Sequence, residues 1–527
     1  MCGIFGYFSS RAGEEGGIRA SFPRALDALA HRGPDDRDAC LVQAGDVVVG
    51  FAQTRLAILD LSPAGHQPMR GPGGEVLLLN GEIYNHLELR PALEAAGVAF
   101  NGTSDTETLL HLLIREGVSA LTRVVGMFAF AFWDPATRTL LLGRDRFGKK
   151  PLYWTERDGA LAFASEVRTL LATDVAPRTL DPEGLGLWLE RGSCREPTTL
   201  VRGVRSLAPG HVMTVRADGD AVRTHARPYW SLQLEPPAPD WRDRLEVLLD
   251  TAVRQRLLSD RPIGVFLSGG VDSAAIAAVA ARHARRALRT FTLTFDEREW
   301  DEGARARSMA ERLGLVHHAS HLTAQEALTH MDEALAAQDL PSHDGFNTWF
   351  VTRAARASGM VVALTGTGGD ELFQGYPHFR RFSAMLRLGA LGRRLPESLR
   401  ERLADGLHPA LPTRWRKALA LVASEARPER VYAILREMFP PVVARRLAPH
   451  AAASLHDAPP VPALGDREAQ LSLFELTGYL VDTQLRDIDA MSMAHGLEVR
   501  SPFLDHRLVQ AVLALPARDK APSGGIN

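Results

Sequence analysis

Two domains of different class are predicted: an amino-terminal α+β domain built on antiparallel sheets, and a carboxy-terminal α/β domain whose parallel sheet gives way to a helical part. Three observations carry this. The chain has 527 residues, more than one hydrophobic core usually organises. Its texture changes along the way, from short strands broken by Gly, Pro and Asn to strands that alternate with helices. Between the two textures lies Glu235-Pro236-Pro237-Ala238-Pro239-Asp240, where the prolines remove backbone donors and fix φ, so neither a helix nor a central strand continues. The expected organisation is a domain over 1–230, a linker over 231–240 and a domain over 241–527.

In the first half, residues 47–51, 76–79, 127–133, 140–143 and 161–164 read as strands, and 88–96 and 106–116 as helices. After the linker Asp240 reads as a helix N-cap, and Leu245, Leu248, Leu249, Val253 and Leu257 recur at helical spacing. From Ile263 the expected order is a strand over 263–267, a helix from Ser273, a strand over 291–295, a helix over 304–313 and a strand over 361–365. Parallel sheets bind ligands beyond the carboxyl ends of their strands, which draws attention to the loops after Leu267 and Thr365. Beyond Gly375 the chain reads as mostly helical.

Composition excludes several classes. Lys plus Arg (61) nearly cancels Asp plus Glu (63), which argues against nucleic acid or another polyanion as the partner. The three cysteines, Cys2, Cys40 and Cys194, are too few and too scattered for a disulfide framework or a four-ligand zinc site, and a reducing cytoplasm fits them. No stretch approaches the roughly 18 apolar residues of a membrane span, and the start lacks the basic and apolar regions of a signal peptide. A soluble, cytoplasmic protein with no membrane partner is expected.

The chain begins Met1-Cys2-Gly3-Ile4-Phe5-Gly6. Removal of Met1 would leave a thiol and a free α-amine on one residue, so nucleophile and base need no partner elsewhere. Taken alone, a cysteine at this position is more often an inert apolar residue. Asn80-Gly81-Glu82 follows the strand over 76–79, and an Asn amide with a Gly N–H suits an oxyanion hole, although Asn-Gly after a strand is otherwise an ordinary hairpin turn. Arg55, Glu82 and Asp105 supply the opposite charges needed to hold the two charged ends of a free amino acid.

In the second half, an apolar strand runs into Ser268-Gly269-Gly270-Val271-Asp272-Ser273 and then a helix. The glycines let backbone approach a phosphate, Ser268 and Ser273 with the helix N–H groups bind its oxygens, and Asp272 can hold Mg²⁺. It is not a Walker A loop, since no Gly-Lys-Ser/Thr follows at the required spacing. A second loop, Gly366-Thr367-Gly368-Gly369-Asp370-Glu371, offers Asp370 as another hard-oxygen ligand for the same ion.

These motifs together resemble a known family. Cys2-Gly3-Ile4-Phe5-Gly6, His31-Arg32-Gly33-Pro34-Asp35, Arg55-Leu56-Ala57-Ile58, Asn80-Gly81-Glu82-Ile83-Tyr84-Asn85, Ser104-Asp105-Thr106-Glu107 and Arg144-Asp145-Arg146-Phe147-Gly148 are similar, in order and spacing, to the class II glutaminase of glutamine-hydrolysing asparagine synthetases. The loop from Ser268 to Ser273 resembles the pyrophosphate loop of enzymes that split ATP to AMP and pyrophosphate, and the segment from Met491 to Asp505 is also similar to these synthetases. The resemblance implies an Ntn-type glutaminase joined to an ATP-pyrophosphatase domain, with glutamine, ATP and aspartate as substrates, Mg²⁺ as cofactor, and a homodimer. It implies Cys2 as nucleophile, Asn80 and Gly81 around the oxyanion, and Arg55, Glu82 and Asp105 on glutamine. Around the adenine nucleotide it implies Leu267, Leu293, Thr365 and Gly366.

Two departures limit it. Many relatives carry an acidic residue where this chain has Thr367, which opens the alternative of another acceptor, a sugar acid or a natural-product carboxylate. The chain also ends at Gly524-Gly525-Ile526-Asn527, where the family usually continues with a lysine-bearing helix, so a nucleotide- or glutamine-binding regulator without turnover is a further alternative.

Overall fold

The computed structural model describes residues 2–520 apart from 12, 285–287, 298, 300, 397, 400–411 and 452–460. Two six-stranded antiparallel sheets stack face to face in the first half. One runs Val204–Ser206, Tyr153–Arg157, Ala160–Ala164, Cys2–Ser9, Val47–Arg55, Asp36–Ala44. The other runs Ala221–Pro228, His211–Asp218, Thr139–Arg144, Gly126–Asp134, Val76–Ile83, Met69–Arg70. The strand Val47–Arg55 is buried at every position, because successive side chains point to opposite faces and both faces are covered. Val47, Val49 and Phe51 meet Val76, Leu78 and Trp133 between the sheets. Val48 and Ala52 pack outward against Ile18, Phe22, Ala25 and Leu29 of the helix Glu15–Leu29. On the far side Leu77, Leu79 and Phe128 pack on Leu109, Leu112 and Leu113 of Asp105–Glu116. The result is a sandwich of helix, sheet, sheet and helix.

That last helix is written locally. The Ser104 side chain accepts from Thr106 N–H, Asp105 and Glu107 occupy the first turn, and Gly117 ends it at φ +59°. The helix Glu15–Leu29 escapes a propensity reading because it contains Gly16, Gly17 and Pro23; packing overrides propensity there. Pro182–Arg191 was legible and is absent from the sequence-based expectation, with Asp181 capping Gly184 N–H, Pro182 in the first turn and Gly192 left-handed at φ +75° after it.

The second half holds a five-stranded sheet, Val316–His321, Arg289–Thr294, Ile263–Phe266, Val362–Leu364, Glu498–Arg500, parallel throughout. Its two edge strands were not anticipated. Val316–His321 is polar along its length, and Glu498–Arg500 is three residues whose buried Glu and Arg bond each other at 2.5 Å, so neither shows an apolar strand pattern. Asp240 stands at the start of Trp241–Arg256 as expected but makes no side-chain cap bond. No helix among the described residues is long and apolar enough to cross a membrane.

The strands Ile263–Phe266 and Val362–Leu364 are hydrogen-bonded neighbours in register. Their following loops therefore open at one edge of the sheet, each running straight into a helix, Val271–His283 and Gly369–Phe373.

Candidate functional site

Cys2 opens the strand Cys2–Ser9 and lies directly across the sheet from Arg55. Asn80 comes from the facing sheet, and its Oδ1 accepts from the Cys2 backbone N–H at 3.2 Å. The Asn80 amide reaches Ser165 Oγ at 3.4 Å, and the same hydroxyl accepts from Ile4 N–H at 3.0 Å. Cys2 is 4% exposed, yet its immediate partners are polar: besides Asn80, the Arg32 Nε–H donates to its carbonyl at 3.2 Å. Met1 lies outside the described residues.

The strand expected over 76–79 runs further than the sequence suggested, and the alternative of a hairpin turn does not form: Asn80, Gly81 and Glu82 continue the strand to Ile83, paired with Ala129, Phe128 and Met127. Asn-Gly reads as a turn because both residues tolerate positive φ. Here Gly81 uses that freedom, at φ +153°, to let two strands approach so closely that a Cβ would collide with the Met127 carbonyl.

Glu82 projects into a buried, charged setting. Burial, then the charges of Asp105 and Glu498, push its carboxyl well above the usual range, and Arg500 opposes them from 3.7 Å. Asp105 accepts from Ile83 N–H at 2.7 Å. The Arg55 guanidinium is turned to the carbonyls of Leu59 (3.2 Å) and Asp60 (2.6 Å). The residues predicted from the motifs thus converge on one end of the sandwich, against the second domain.

At the carboxyl edge of the parallel sheet lies a cavity of about 1190 Å³. Leu267, Ser268, Gly270, Asp272 and Ser273 from the first loop line it, as do Leu293 on its strand and Thr365, Gly366, Thr367 and Asp370 from the second. Gly269 is the exception. It is not in the wall, and its N–H points to Glu302 Oε2 at 3.3 Å. The loop closes on itself through Ser268 Oγ and Ser273 Oγ, 2.9 Å apart, and the Gly270 N–H donates to Ser268 Oγ at 3.2 Å.

Glycine makes the approach of the two loops possible. A Cβ on Gly369 would collide with the Asp272 carboxyl, and one on Gly366 would lie 2.9 Å from Ser273 N. Burial, then the charge of Asp370, pushes the Asp272 carboxyl up to about 6; burial also raises Asp370. Two crowded carboxylates without a cation partner among the described residues are a chemically fitting pair for a divalent ion.

Other residues were not anticipated. Glu371, pushed up to about 7 chiefly by burial, accepts from Tyr376 O–H at 2.6 Å at the cavity wall. Arg518 and Lys520 also line it, and burial lowers the Lys520 ammonium to about 8. Residues 521–527 lie outside the described residues. Nothing local in the sequence ties Arg518 and Lys520 to loops more than a hundred positions away, and only the fold brings them together.

The halves meet through an apolar cluster that joins Leu56, Ile58, Tyr84 and Met127 to Val361, Val362 and Met493. Charges cross as well. Asp489, on the helix Arg486–Met493, accepts from Arg32 at 2.7 Å and from Lys150 at 2.9 Å.

Comparison with known proteins agrees with this geometry. Residues 1–230 match the model of a glutamine amidotransferase domain, and residues 244–525 that of asparagine synthase. Asparagine synthetase [glutamine-hydrolyzing] 3 of Bacillus subtilis is 32% identical over 544 residues, covering 98% of this chain and 81% of that protein. A putative asparagine synthetase [glutamine-hydrolyzing] of Mycobacterium bovis is 34% identical over 550 residues, covering 99% and 82%. Amidase chry2 of Gibberella zeae is 29% identical over 586 residues, covering 98% and 83%. Among solved structures, a glutamine phosphoribosylpyrophosphate amidotransferase of B. subtilis superposes loosely, with a TM-score of 0.33 at 15% identity over 69% of this chain and 81% of that one.

Fold and relatives define an ATP-dependent, glutamine-hydrolysing carbon–nitrogen ligase, a glutamine amidotransferase domain followed by a parallel-sheet synthetase domain. The chain belongs to the family of glutamine-hydrolysing asparagine synthetases.

Gly369→Ala tests the loop geometry. The added methyl must displace Asp272, so ATP–pyrophosphate exchange is expected to fall by about a hundredfold while glutamine hydrolysis is unchanged. An exchange rate equal to that of the parent protein would show that the close approach is dispensable.

Proposed function

We propose that this protein makes asparagine: glutamine is hydrolysed at Cys2, ATP converts aspartate to an acyl-adenylate, and the released ammonia displaces AMP. The observation that carries the reading is a pair of chemically complementary clusters in one chain. Cys2 is held by Asn80 on one side of the interface, and Asp272 stands with Asp370 at the mouth of two glycine loops on the other.

In the first site, with Met1 removed, the Cys2 amine accepts the thiol proton and the sulfur attacks the glutamine carboxamide carbon. The Asn80 side-chain amide and the Gly81 N–H stabilise the oxyanion, ammonia leaves, and water hydrolyses the thioester. Arg55 takes the α-carboxylate of glutamine. Glu82 and Asp105 take its α-ammonium, whose charge would oppose the upward shift of the Glu82 carboxyl.

In the second site Ser268, Gly270 and Ser273 hold the pyrophosphate, with Leu267, Leu293, Thr365 and Gly366 around the rest of the nucleotide. Asp272 and Asp370 would hold Mg²⁺, which supplies charge neutralisation for the leaving pyrophosphate. The aspartate side-chain carboxylate attacks the α-phosphorus and pyrophosphate departs. Ammonia then attacks the acyl carbon, AMP leaves, and one proton is lost. Between the sites lies a void of about 10 Å³ lined by Met127, Lys150, Ile488, Asp489 and Ser492. It has room for one molecule the size of water or ammonia, which supports a passage between the halves. Such shelter matters because ammonia in bulk water becomes ammonium and loses its nucleophilicity.

A second reading, amidation of a different carboxylate, is favoured by Thr367. Its hydroxyl lies in the cavity wall, 3.0 Å from that of Thr365, and it cannot act as a carboxylate base; a relative also carries the name amidase. Incubation with glutamine, ATP and Mg²⁺ and either aspartate or a carboxylate panel, followed by product analysis, separates the two. Asparagine formed in step with AMP is the expected result; AMP formed only with another acid would transfer the assignment to that acid.

Cys2→Ala should abolish synthesis from glutamine and retain synthesis from added ammonium, as measured by AMP release. Loss of both would mark the cysteine as structural. Asp272→Asn should reverse the pattern, stopping pyrophosphate release while glutamate is still produced; retained pyrophosphate release would remove Asp272 from the metal site.

A further inference from the structure

Arg32 has no contact with water, and each nitrogen of its guanidinium is committed. Nε–H donates to the Cys2 carbonyl at 3.2 Å, Nη1 to Glu166 Oε1 at 2.8 Å, and Nη2 to Asp489 Oδ2 at 2.7 Å. A planar fork held at three points cannot rotate without losing a bond, so it fixes the peptide of Cys2 relative to the other two partners. Glu166 belongs to the amidotransferase half and is itself held by His31 at 3.0 Å and Arg168 at 3.1 Å. Its neighbour Ser165 binds Asn80 and the backbone of Ile4. Asp489 alone comes from the synthetase half.

Asp489 faces the opposite way in chemical terms. Its side chain is 2% exposed, and both of its cations, Arg32 and Lys150, come from the amidotransferase half. They hold its carboxylate below the usual range against the penalty of burial. Neutralising either side chain in the docked protein would leave the other buried and short of a counter-charge. The helix that carries Asp489 also presents Ile488 and Ser492 to the small void. It follows directly from the π-helical turn Leu480–Leu485, whose Gln484 lines the nucleotide cavity. One continuous piece of backbone thus runs from the cavity wall to the arginine that grips Cys2.

We propose that Asp489 is a positioning residue for the glutaminase: by orienting Arg32 on the Cys2 carbonyl, it makes the alignment of Cys2 depend on the docked synthetase helix. This rests on Cys2 being the glutamine-hydrolysing nucleophile. The substrate acted on is glutamine, and Asp489 touches neither it nor the thiol.

The test uses the full chain with Asp489→Asn, which keeps the shape and removes the charge. The kcat for glutamate release is expected to fall roughly tenfold with glutamine KM nearly unmoved, while AMP formation from added ammonium stays at the parent rate. Glutamate release and glutamine-driven synthesis then fall together, whereas damage to the passage, which Asp489 also borders, would spare glutamate release. Parallel loss of both activities, or an unmoved glutaminase, overturns the assignment.

Arg32→Lys is the second variant, used in the same way should Asp489→Asn not fold. A lysine retains a charge for Asp489 but has no Nε–H fork for Cys2, so the same selective glutaminase loss is expected, and a parent-like rate overturns it. Cys2→Ala run alongside separates the two levels. A parent protein without Cys2-dependent hydrolysis removes both readings, whereas a Cys2-dependent rate indifferent to both substitutions removes only the role of Asp489.

Discussion

A guanidinium or carboxylate taken out of water must find its counter-charge inside the protein, and in this chain several of the counter-charges lie across the domain boundary. Arg32 meets Asp489, Lys150 meets the same carboxylate, and Arg500 lies between Glu498 of its own strand and Glu82 of the other half. Breaking a buried pair of this kind typically destabilises by about 3–5 kcal/mol because one charge stays behind unpaired. The consequence is specificity of docking. An apolar patch such as Leu56, Tyr84, Met127 and Val362 tolerates sliding, whereas charges matched one to one set a single register.

The two halves reach their sites by different physics. In the sandwich, both faces of the central strands are dry, so polar chemistry is confined to strand ends and to positions where a glycine replaces a side chain. Cys2 stands at the first position of its strand, and Asn80 and Gly81 sit where the strand Val76–Ile83 crosses Gly126–Asp134. In the parallel sheet, chemistry collects in loops because every strand carboxyl end opens at the same edge, followed by a helix N-terminus with unsatisfied N–H groups. The glycines at 366 and 369 bring these loops into contact.

The helix Arg486–Met493, with the π-helical turn before it, serves several surfaces at once. Asp487 is bonded to Ser342, Asp489 faces Arg32 and Lys150, and Ser492 borders the void. Such sharing explains why this stretch is so thoroughly buried while rich in charge. Arg486 pairs with its neighbour Asp487, while Asp487 and Asp489 answer partners from other elements, so the sequence there reads as neither an amphipathic helix nor a surface one.

The sequence by itself determined the two fold classes and a local device that needs only neighbours along the chain, the glycine loops after the strands at Ile263 and Val362. It also marked Asp272 and Asp370, whose side chains the structure brings to one cavity. It ended the strand at Leu79, before Asn80-Gly81, because whether Asn-Gly bends or extends is settled by the strand lying opposite. It was silent on the helix Glu15–Leu29, where packing outweighs Gly16, Gly17 and Pro23, and on the polar edge strands. Above all, pairings such as Arg32 with Asp489, separated by 457 positions, belonged to the tertiary structure. The energy of a buried charge depends on what surrounds it in space, and no spacing along the chain encodes that.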